Sequence, residues 1–177
     1  MDYKPGLTEI EIVSGCLENN RKSQKMLFDR YKDAMYTIAF RILRDEDLAS
    51  DALQEGFISV FESLKNFKGH STLGAWIKTI MVRSTLRILN QRFETANFET
   101  EFVDETITWD ENLTGESLDK AIASLSPGYR SVFVLIEVEG YSHKEVAEML
   151  NISEGTSKSQ LSRAKKLLQE KLKHLIE

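Results

Sequence analysis

Residues 142–171 read SHKEVAEMLNISEGTSKSQLSRAKKLLQEK, and this stretch decides the fold at one end of the chain. Ser142 and Glu145 have the spacing of a capping box, so a short helix is expected to begin here and to end near Leu150. Asn151 tolerates a left-handed backbone and can make a turn, and a second helix is predicted to begin at Glu154. The stretch therefore predicts a helix-turn-helix.

The second of these helices belongs to one of two basic blocks. From Thr156 to His174 the chain has six lysines and arginines and one acidic residue, although its overall net charge is -5. Residues 65–93 have six basic residues and no acidic one, whereas residues 94–119 have nine acidic residues and no basic one. A solvated helix face would also be charged, but this concentration in an acidic protein favours two polyanion-binding surfaces with a repelled connector between them.

Apolar residues recur at helical spacing on both sides of the acidic segment, which predicts an all-α fold of two small helical domains. The predicted boundaries are 1–93 for the first domain, 94–116 for an acidic linker and 117–177 for the second domain. Within the first domain we expect a short helix capped by Thr8, followed by three long helices. The apolar stripe of the first long helix is expected to include Leu27, Tyr31, Ala34, Met35, Ile38 and Ile42.

Composition excludes several classes of protein. With 177 residues, 41% of them hydrophobic and only two prolines, the chain is typical of a folded, helix-rich protein. The longest apolar run, residues 132–136, is far below the roughly 18 residues that a membrane-spanning helix needs. The start of the chain lacks the pattern of a secretory signal, and the single cysteine, Cys16, cannot pair within the chain. We therefore expect a cytoplasmic protein without membrane insertion.

Patterns typical of catalysis or metal binding are missing from the sequence. His70, His143 and His174 are isolated from one another, and one cysteine cannot complete a zinc site. No glycine-rich phosphate loop or nucleophile elbow occurs. We therefore expect no enzymatic activity, no cofactor and no metal.

Beyond these patterns, the motifs resemble a known family. Region 2 of the bacterial sigma-70 family is similar to residues 51–57 (DALQEGF), 67–69 (FKG) and 76–80 (WIKTI). Region 4 of the same family is similar to residues 125–127 (LSP) with Arg130, 140–142 (GYS) and 154–164 (EGTSKSQLSRA). The order of these motifs across nearly the whole chain resembles an extracytoplasmic-function (ECF) sigma factor.

The resemblance implies that the protein binds core RNA polymerase, directs it to promoters and helps to melt them. It implies contact of region 2 with the coiled coil of the beta-prime subunit and of region 4 with the beta flap, and an anti-sigma factor is a candidate further partner. For the beta-prime contact the implied residues are Asp51, Leu53, Gln54 and Glu55. For the minus-ten element they are Phe67, Lys68, His70, Ser71, Lys78, Arg83 and Arg87. For the minus-thirty-five element they are Thr156, Ser157, Lys158, Gln160, Arg163 and Lys165.

At three positions the chain departs from the family pattern. Arg83 stands where many members have asparagine and adds positive charge beside the melted strand. Ser157 stands where valine is frequent, which predicts weaker inward packing of the recognition helix. Gln160 stands where arginine is frequent, which favours an adenine contact over a guanine contact.

Two other functions stay open on the residues alone. One is a conventional helix-turn-helix regulator in which residues 1–93 form a dimerisation or sensor domain. The other is a helical interaction protein without a role in nucleic-acid binding. Run-off transcription with purified core polymerase distinguishes these alternatives from a sigma factor.

Overall fold

The computed structural model describes residues 8–95 and 115–172, and every regular element in these two ranges is helical. The predicted all-α fold is therefore confirmed. The chain divides into two compact units, Met1–Leu89 (unit 1) and Asn90–Glu177 (unit 2). The predicted linker falls mostly on residues 96–114, which lie outside the described residues.

Unit 1 is built from four α-helices. They are α1 (Glu9–Leu17), α2 (Arg21–Leu43), α3 (Glu46–Ser63) and α4 (Leu73–Thr95), with a 3-10 turn at Leu64–Asn66, and α4 continues past the boundary of the unit. Side chains fix where the helices begin: Thr8 and Glu11 form the predicted capping box, and the Asn20 side chain accepts hydrogen bonds at the start of α2. Arg44 ends α2 in a left-handed conformation, with φ 54°.

Apolar side chains from all four helices close the core of unit 1. The fully buried ones include Ile12, Leu27, Ile42, Val60, Ile77 and Met81. Of the predicted α2 stripe, only Ala34 is exposed, because the buried face is centred nearer Met35 and Ala39 and leaves Ala34 at its edge.

Glycines allow close helix approach in unit 1. A Cβ atom at Gly15 would lie 2.1 Å from Ser23 Oγ, and one at Gly56 would lie 2.6 Å from Met81 Cε. Cys16, beside the first of these contacts, is a buried free thiol, and its burial raises its pKa.

Unit 2 consists of shorter helices. They are α5 (Gly115–Ala123), α6 (Pro127–Phe133), α7 (His143–Leu150) and α8 (Glu154–Leu172), and a π-helical segment at Val134–Val138 continues α6. This segment departs from a regular α-helix, because the Glu139 N–H donates to Val134 O, five residues back, at 2.9 Å. The capping box of Ser142 and Glu145 and the left-handed turn at Asn151, with φ 53°, are confirmed.

A buried arginine connects the first two helices of unit 2. Arg130 is 6% exposed, and its guanidinium donates hydrogen bonds to the backbone oxygens of Ala123 at 3.0 Å and Leu125 at 2.9 Å. Carbonyl groups at the end of a helix have no partner within that helix. Arg130 therefore supplies the missing donors and fixes the corner between α5 and α6.

Candidate polymerase-binding and DNA-binding surfaces

One side of α3 is polar and exposed. Asp51 and Gln54 are exposed and Glu55 is partly exposed, and their spacing of three and four residues places them on one side of the helix. Ile58 lies on the same side and is 51% exposed. Leu53 is half-buried on another side of the helix, so the structure does not bring it together with the other predicted polymerase residues. We call Asp51, Gln54, Glu55 and Ile58 the α3 patch.

Ile58 was missed by the sequence reasoning. Its signal was present, because an isoleucine four residues after Gln54 and seven after Asp51 must share their side of a helix. An apolar side chain surrounded by polar ones is the usual composition at the centre of a protein interface.

Between α3 and α4 lies a groove with a volume of about 350 Å³. It is lined by Ser59, Ser63, Ile80, Arg83, Ser84 and Arg87. The structure therefore brings together Arg83 and Arg87, two of the residues predicted to contact the minus-ten element. Arg87 also forms an ion pair with Glu55 of the α3 patch.

The predicted minus-ten loop precedes α4. The ring of Phe67 packs against the ring of Trp76 with centroids 5.3 Å apart, and both residues are half-buried. Lys68, His70 and Ser71 are exposed together in this loop. Phe67 thus anchors the loop to α4, while its neighbours present charge and hydrogen-bonding groups to solvent.

Two further residues complete the region around this loop. Thr72 immediately precedes α4, and its hydroxyl accepts a hydrogen bond from the Ala75 N–H at 3.2 Å. Lys78 lies half-buried one turn further along the helix. Two lysines of the basic block, Lys68 and Lys78, thus lie in the loop and in the first turns of α4.

One predicted DNA contact in α8 is incompatible with the structure. Ser157 is fully buried, and its hydroxyl lies 2.9 Å from Nδ1 of His143 in α7. The side chain is on the face that packs inward with Leu161 and Ala164, so it is not available to DNA, and we remove Ser157 from the candidate residues. The sequence predicts weak apolar packing at position 157. In the structure, the Ser157 hydroxyl makes a polar contact with His143 there.

The remaining predicted residues of α8 differ in how free they are. Lys158 and Arg163 are exposed, whereas Thr156 and Gln160 are half-buried. Lys158 Nζ lies 3.9 Å from Glu154 Oε2, four residues earlier in α8. Lys165 Nζ lies 2.8 Å from Glu137 Oε1 in the π-helical segment, so part of its charge is balanced within unit 2.

Two of these side chains make further contacts, and a third lies near α6. The Arg163 guanidinium donates to the hydroxyl of Tyr129 at 3.4 Å, and this contact raises the pKa of Arg163. The hydroxyl of Thr156 lies 2.9 Å from Ser153 Oγ. A Cβ atom added at Gly128 would lie 4.0 Å from Nε2 of Gln160, which places that amide beside the start of α6.

Sequence reasoning missed three exposed residues of α8. Ser159, Ser162 and Lys166 lie on the side opposite the buried residues. Helical spacing from Leu161 and Ala164 predicts that position. The two serines carry no charge, so the charge pattern does not indicate them. Their hydroxyls can bond to phosphates or to base edges.

The described residues carry two further negative findings. Among residues 8–95 and 115–172, no three histidine, cysteine, aspartate or glutamate side chains are grouped so that they could hold a metal ion. In the same ranges, no helix has the length and apolar character required to cross a membrane.

Family models match both units. The model for sigma-70 region 2 matches residues 27–93, and the model for sigma-70 region 4 matches residues 115–168. The ECF RNA polymerase sigma-E factor of Haemophilus influenzae is 25% identical over 187 residues, covering 96% of this chain and 98% of that protein. The protein of the same name from Escherichia coli strain K12 is 27% identical over 186 residues, covering 96% and 97%.

Solved structures show the same likeness. The sigma factor RpoE of Bartonella quintana, in complex with the anti-sigma factor NepR, aligns with a TM-score of 0.58 and 26% identity, covering 84% of this chain and 96% of that one. CnrH in complex with the cytosolic domain of CnrY aligns with a TM-score of 0.55 and 19% identity, covering 92% and 95%. The second comparison supports the fold alone.

Proposed function

Because the chain belongs to the sigma-70 family and is an ECF-type RNA polymerase sigma factor that directs promoter recognition, we propose that its two units divide this task. Unit 1 binds core polymerase and opens the minus-ten element, and unit 2 binds the minus-thirty-five element. The observation that carries the proposal is the match of both regions in this order. A conventional regulator is not favoured, since region 2 would then have no role.

The α3 patch is the proposed contact for the beta-prime coiled coil. Its polar residues Asp51, Gln54 and Glu55 surround Ile58, and stable interfaces combine an apolar centre with a polar rim. Leu53 is left out of this surface because its side chain is half-buried on another side of α3.

The loop before α4 and the groove beside α4 are the proposed contact for the melted strand. Lys68, His70 and Ser71 are exposed in the loop, and Arg83 and Arg87 line the groove. Unpairing and flipping a base costs a few kcal/mol, which contacts with the strand must offset. Phe67 supports the loop through its packing against Trp76.

In unit 2, α8 is the proposed recognition helix. Lys158 and Arg163 are placed to neutralise phosphates, and Ser159, Ser162 and Lys166 extend the exposed face. Lys165 contributes less than its charge suggests, because Glu137 pairs with it. Gln160 and Thr156 remain candidates for base contact.

The proposed function gives this chain no catalytic step and no cofactor, since the polymerase carries the chemistry. The protein acts where core polymerase acts, in the cytoplasm. An anti-sigma factor is a proposed partner, supported by the likeness to RpoE in its complex with NepR. The beta flap is the proposed polymerase contact of unit 2.

Holoenzyme assembly and run-off transcription with purified core polymerase test this division. Replacing Asp51, Gln54 and Glu55 with alanine should abolish binding to core polymerase while the helical circular dichroism stays unchanged. A matched control replaces the exposed acids Glu18 and Asp33, and it should assemble normally. Unchanged binding by the triple variant would reject the polymerase assignment.

A second arm of the same experiment separates assembly from strand opening. Alanine at Lys68 and His70 should leave holoenzyme formation intact but lower transcription from duplex promoters. A template with a pre-melted bubble should partly restore the yield, because its opening cost is already met. Equal yields from duplex templates with the variant and the unmodified protein would move the melting function to another part of unit 1.

A further inference from the structure

Glu55 and Arg87 form an ion pair that joins the two proposed surfaces of unit 1. Glu55 belongs to the α3 patch, and Arg87 lies in α4 and lines the groove. We propose that Glu55 neutralises Arg87 in the free protein, and that by separating this pair core polymerase and a DNA strand strengthen each other's binding. The inference rests on the proposed function and adds a link between its two parts.

The pair can exchange partners because it is accessible. The Arg87 guanidinium donates to Glu55 Oε2, and the two side chains are 53% and 44% exposed, respectively. Ion pairs with this much solvent contribute little free energy, since water and salt screen them. A competing cation on polymerase or a competing phosphate on DNA can therefore replace one partner.

Arg87 has more hydrogen-bond donors than Glu55 can use. A guanidinium offers five N–H donors in a planar fork, and a carboxylate accepts two of them side by side. In the groove, Arg87 is accompanied by a second guanidinium, Arg83, and by the serines of both helices. The two guanidinium groups of this lining suit the phosphodiester groups of a single strand, and Glu55 occupies part of one of them in the free protein.

The two binding events are then coupled in a predictable direction. When a cationic group of polymerase pairs with Glu55 in place of Arg87, Arg87 loses its counter-charge and attracts phosphate more strongly. When a phosphate pairs with Arg87 in place of Glu55, the Glu55 carboxylate becomes available to polymerase. Because such coupling is reciprocal, each ligand raises the affinity for the other by the same factor. The free protein accordingly binds a DNA strand more weakly than the holoenzyme does.

The first test uses the free, full-length protein and a fluorescently labelled oligothymidylate strand. Glu55→Gln should tighten binding by about two- to fivefold at low salt, the range expected for an exposed ion pair. In an Arg87→Gln background, the same change should have no such effect. Glu62→Gln, an exposed acid seven residues further along α3, controls for net charge and should give a smaller change that is equal in both backgrounds. A Glu55→Gln effect that persists without Arg87, or does not exceed that of Glu62→Gln, overturns the proposal.

The second test measures the reciprocal effect with core polymerase and no DNA. Arg87→Gln should raise the affinity for polymerase by about two- to fivefold, because it frees Glu55 while every residue of the α3 patch is kept. Unchanged or weaker binding overturns the coupling. Thermal melting by circular dichroism establishes that every variant is folded. Failure of the proposed function would appear separately, as a lack of run-off transcription by the unmodified protein.

Discussion

Units 1 and 2 are both helical, but different interactions hold them together. Unit 1 uses helices of up to 23 residues whose apolar faces close one core, with glycines where the helices approach most closely. Unit 2 uses mostly short helices whose corners are fixed by polar side chains, chiefly Arg130 and the pair of Ser157 and His143. Long periodic helices tolerate the loss of single polar contacts, whereas the short helices of unit 2 depend on them.

The largest expected effect is in unit 2. Arg130→Met removes the guanidinium that bonds to the backbone oxygens of Ala123 and Leu125, leaving both carbonyls without these donors. We expect a loss of roughly 3 kcal/mol or more in the free energy of unfolding of unit 2. Hydrogen exchange resolved by residue measures this loss in each unit. As a control, Arg163→Met replaces an exposed arginine and should change the free energy of unfolding by less than about 0.5 kcal/mol. Equal losses for the two variants would contradict the dependence of unit 2 on its buried polar contacts.

A second comparison makes the same substitution in each unit. Gly15→Ala should destabilise unit 1 by about 1–3 kcal/mol, because the new Cβ would lie 2.1 Å from Ser23 Oγ and 2.8 Å from Ser23 Cβ. Gly155→Ala in α8 meets only Ser153 Oγ, at 3.6 Å, and should stabilise unit 2 by about 0.4–1 kcal/mol. Urea denaturation measures both changes. Adding Ser23→Gly should restore part of the stability lost in Gly15→Ala. If it restores none, the clash between residues 15 and 23 is not the cause of the loss.

A smaller effect is expected at the contact between α7 and α8. Ser157→Ala removes the buried hydroxyl beside His143 Nδ1 and should cost about 1 kcal/mol of stability in unit 2. Ser159→Ala changes a hydroxyl on the exposed side of the same helix and should cost less. Thermal melting compares the two variants. An equal cost would mean that the polar contact does not hold α8 against α7.

The smallest expected effect concerns the capping box, which both units contain. Hydrogen bonds from Thr8 and Ser142 lower the pKa of Glu11 and Glu145, respectively, in the two capping boxes. A carboxyl whose pKa is lowered by folding stabilises the protein above its unfolded pKa, about 4.3, and loses that contribution as pH falls through the folded value. Glu11→Gln and Glu145→Gln should therefore each flatten the acid side of the stability profile. Urea midpoints measured from neutral to acid pH test this, and an unchanged slope would assign the acid sensitivity to other carboxyl groups.

Much of the fold followed from local sequence signals. The cap at Thr8, the capping box of Ser142 and Glu145 and the left-handed turn at Asn151 could be predicted because each depends on a few neighbouring residues. The helix limits were less exact. The predicted linker boundaries at 94 and 116 overlap α4, which ends at Thr95, and α5, which begins at Gly115. Helix ends depend on contacts that apolar spacing does not report.

The candidate site was less predictable, because side chains that are distant in sequence determine it. The pairing of Glu55 with Arg87 spans 32 residues, and that of Lys165 with Glu137 depends on the π-helical segment. Burial of Ser157 contradicted its expected DNA contact for the same reason, since only tertiary packing places it beside His143. Resemblance to the family named candidate residues on α3, α4 and α8 but did not indicate which of their side chains are exposed.

The buried thiol of Cys16 makes the protein convenient for fluorescence work. Maleimide dyes react with exposed thiolates, and both the burial of Cys16 and its raised pKa slow that reaction. Since the chain has no other cysteine, thiols introduced by Asp33→Cys in α2 and Gln169→Cys in α8 would be labelled selectively under native conditions. Energy transfer between the two dyes would then report the separation of the units in the free protein and on the polymerase, with the native cysteine left in place.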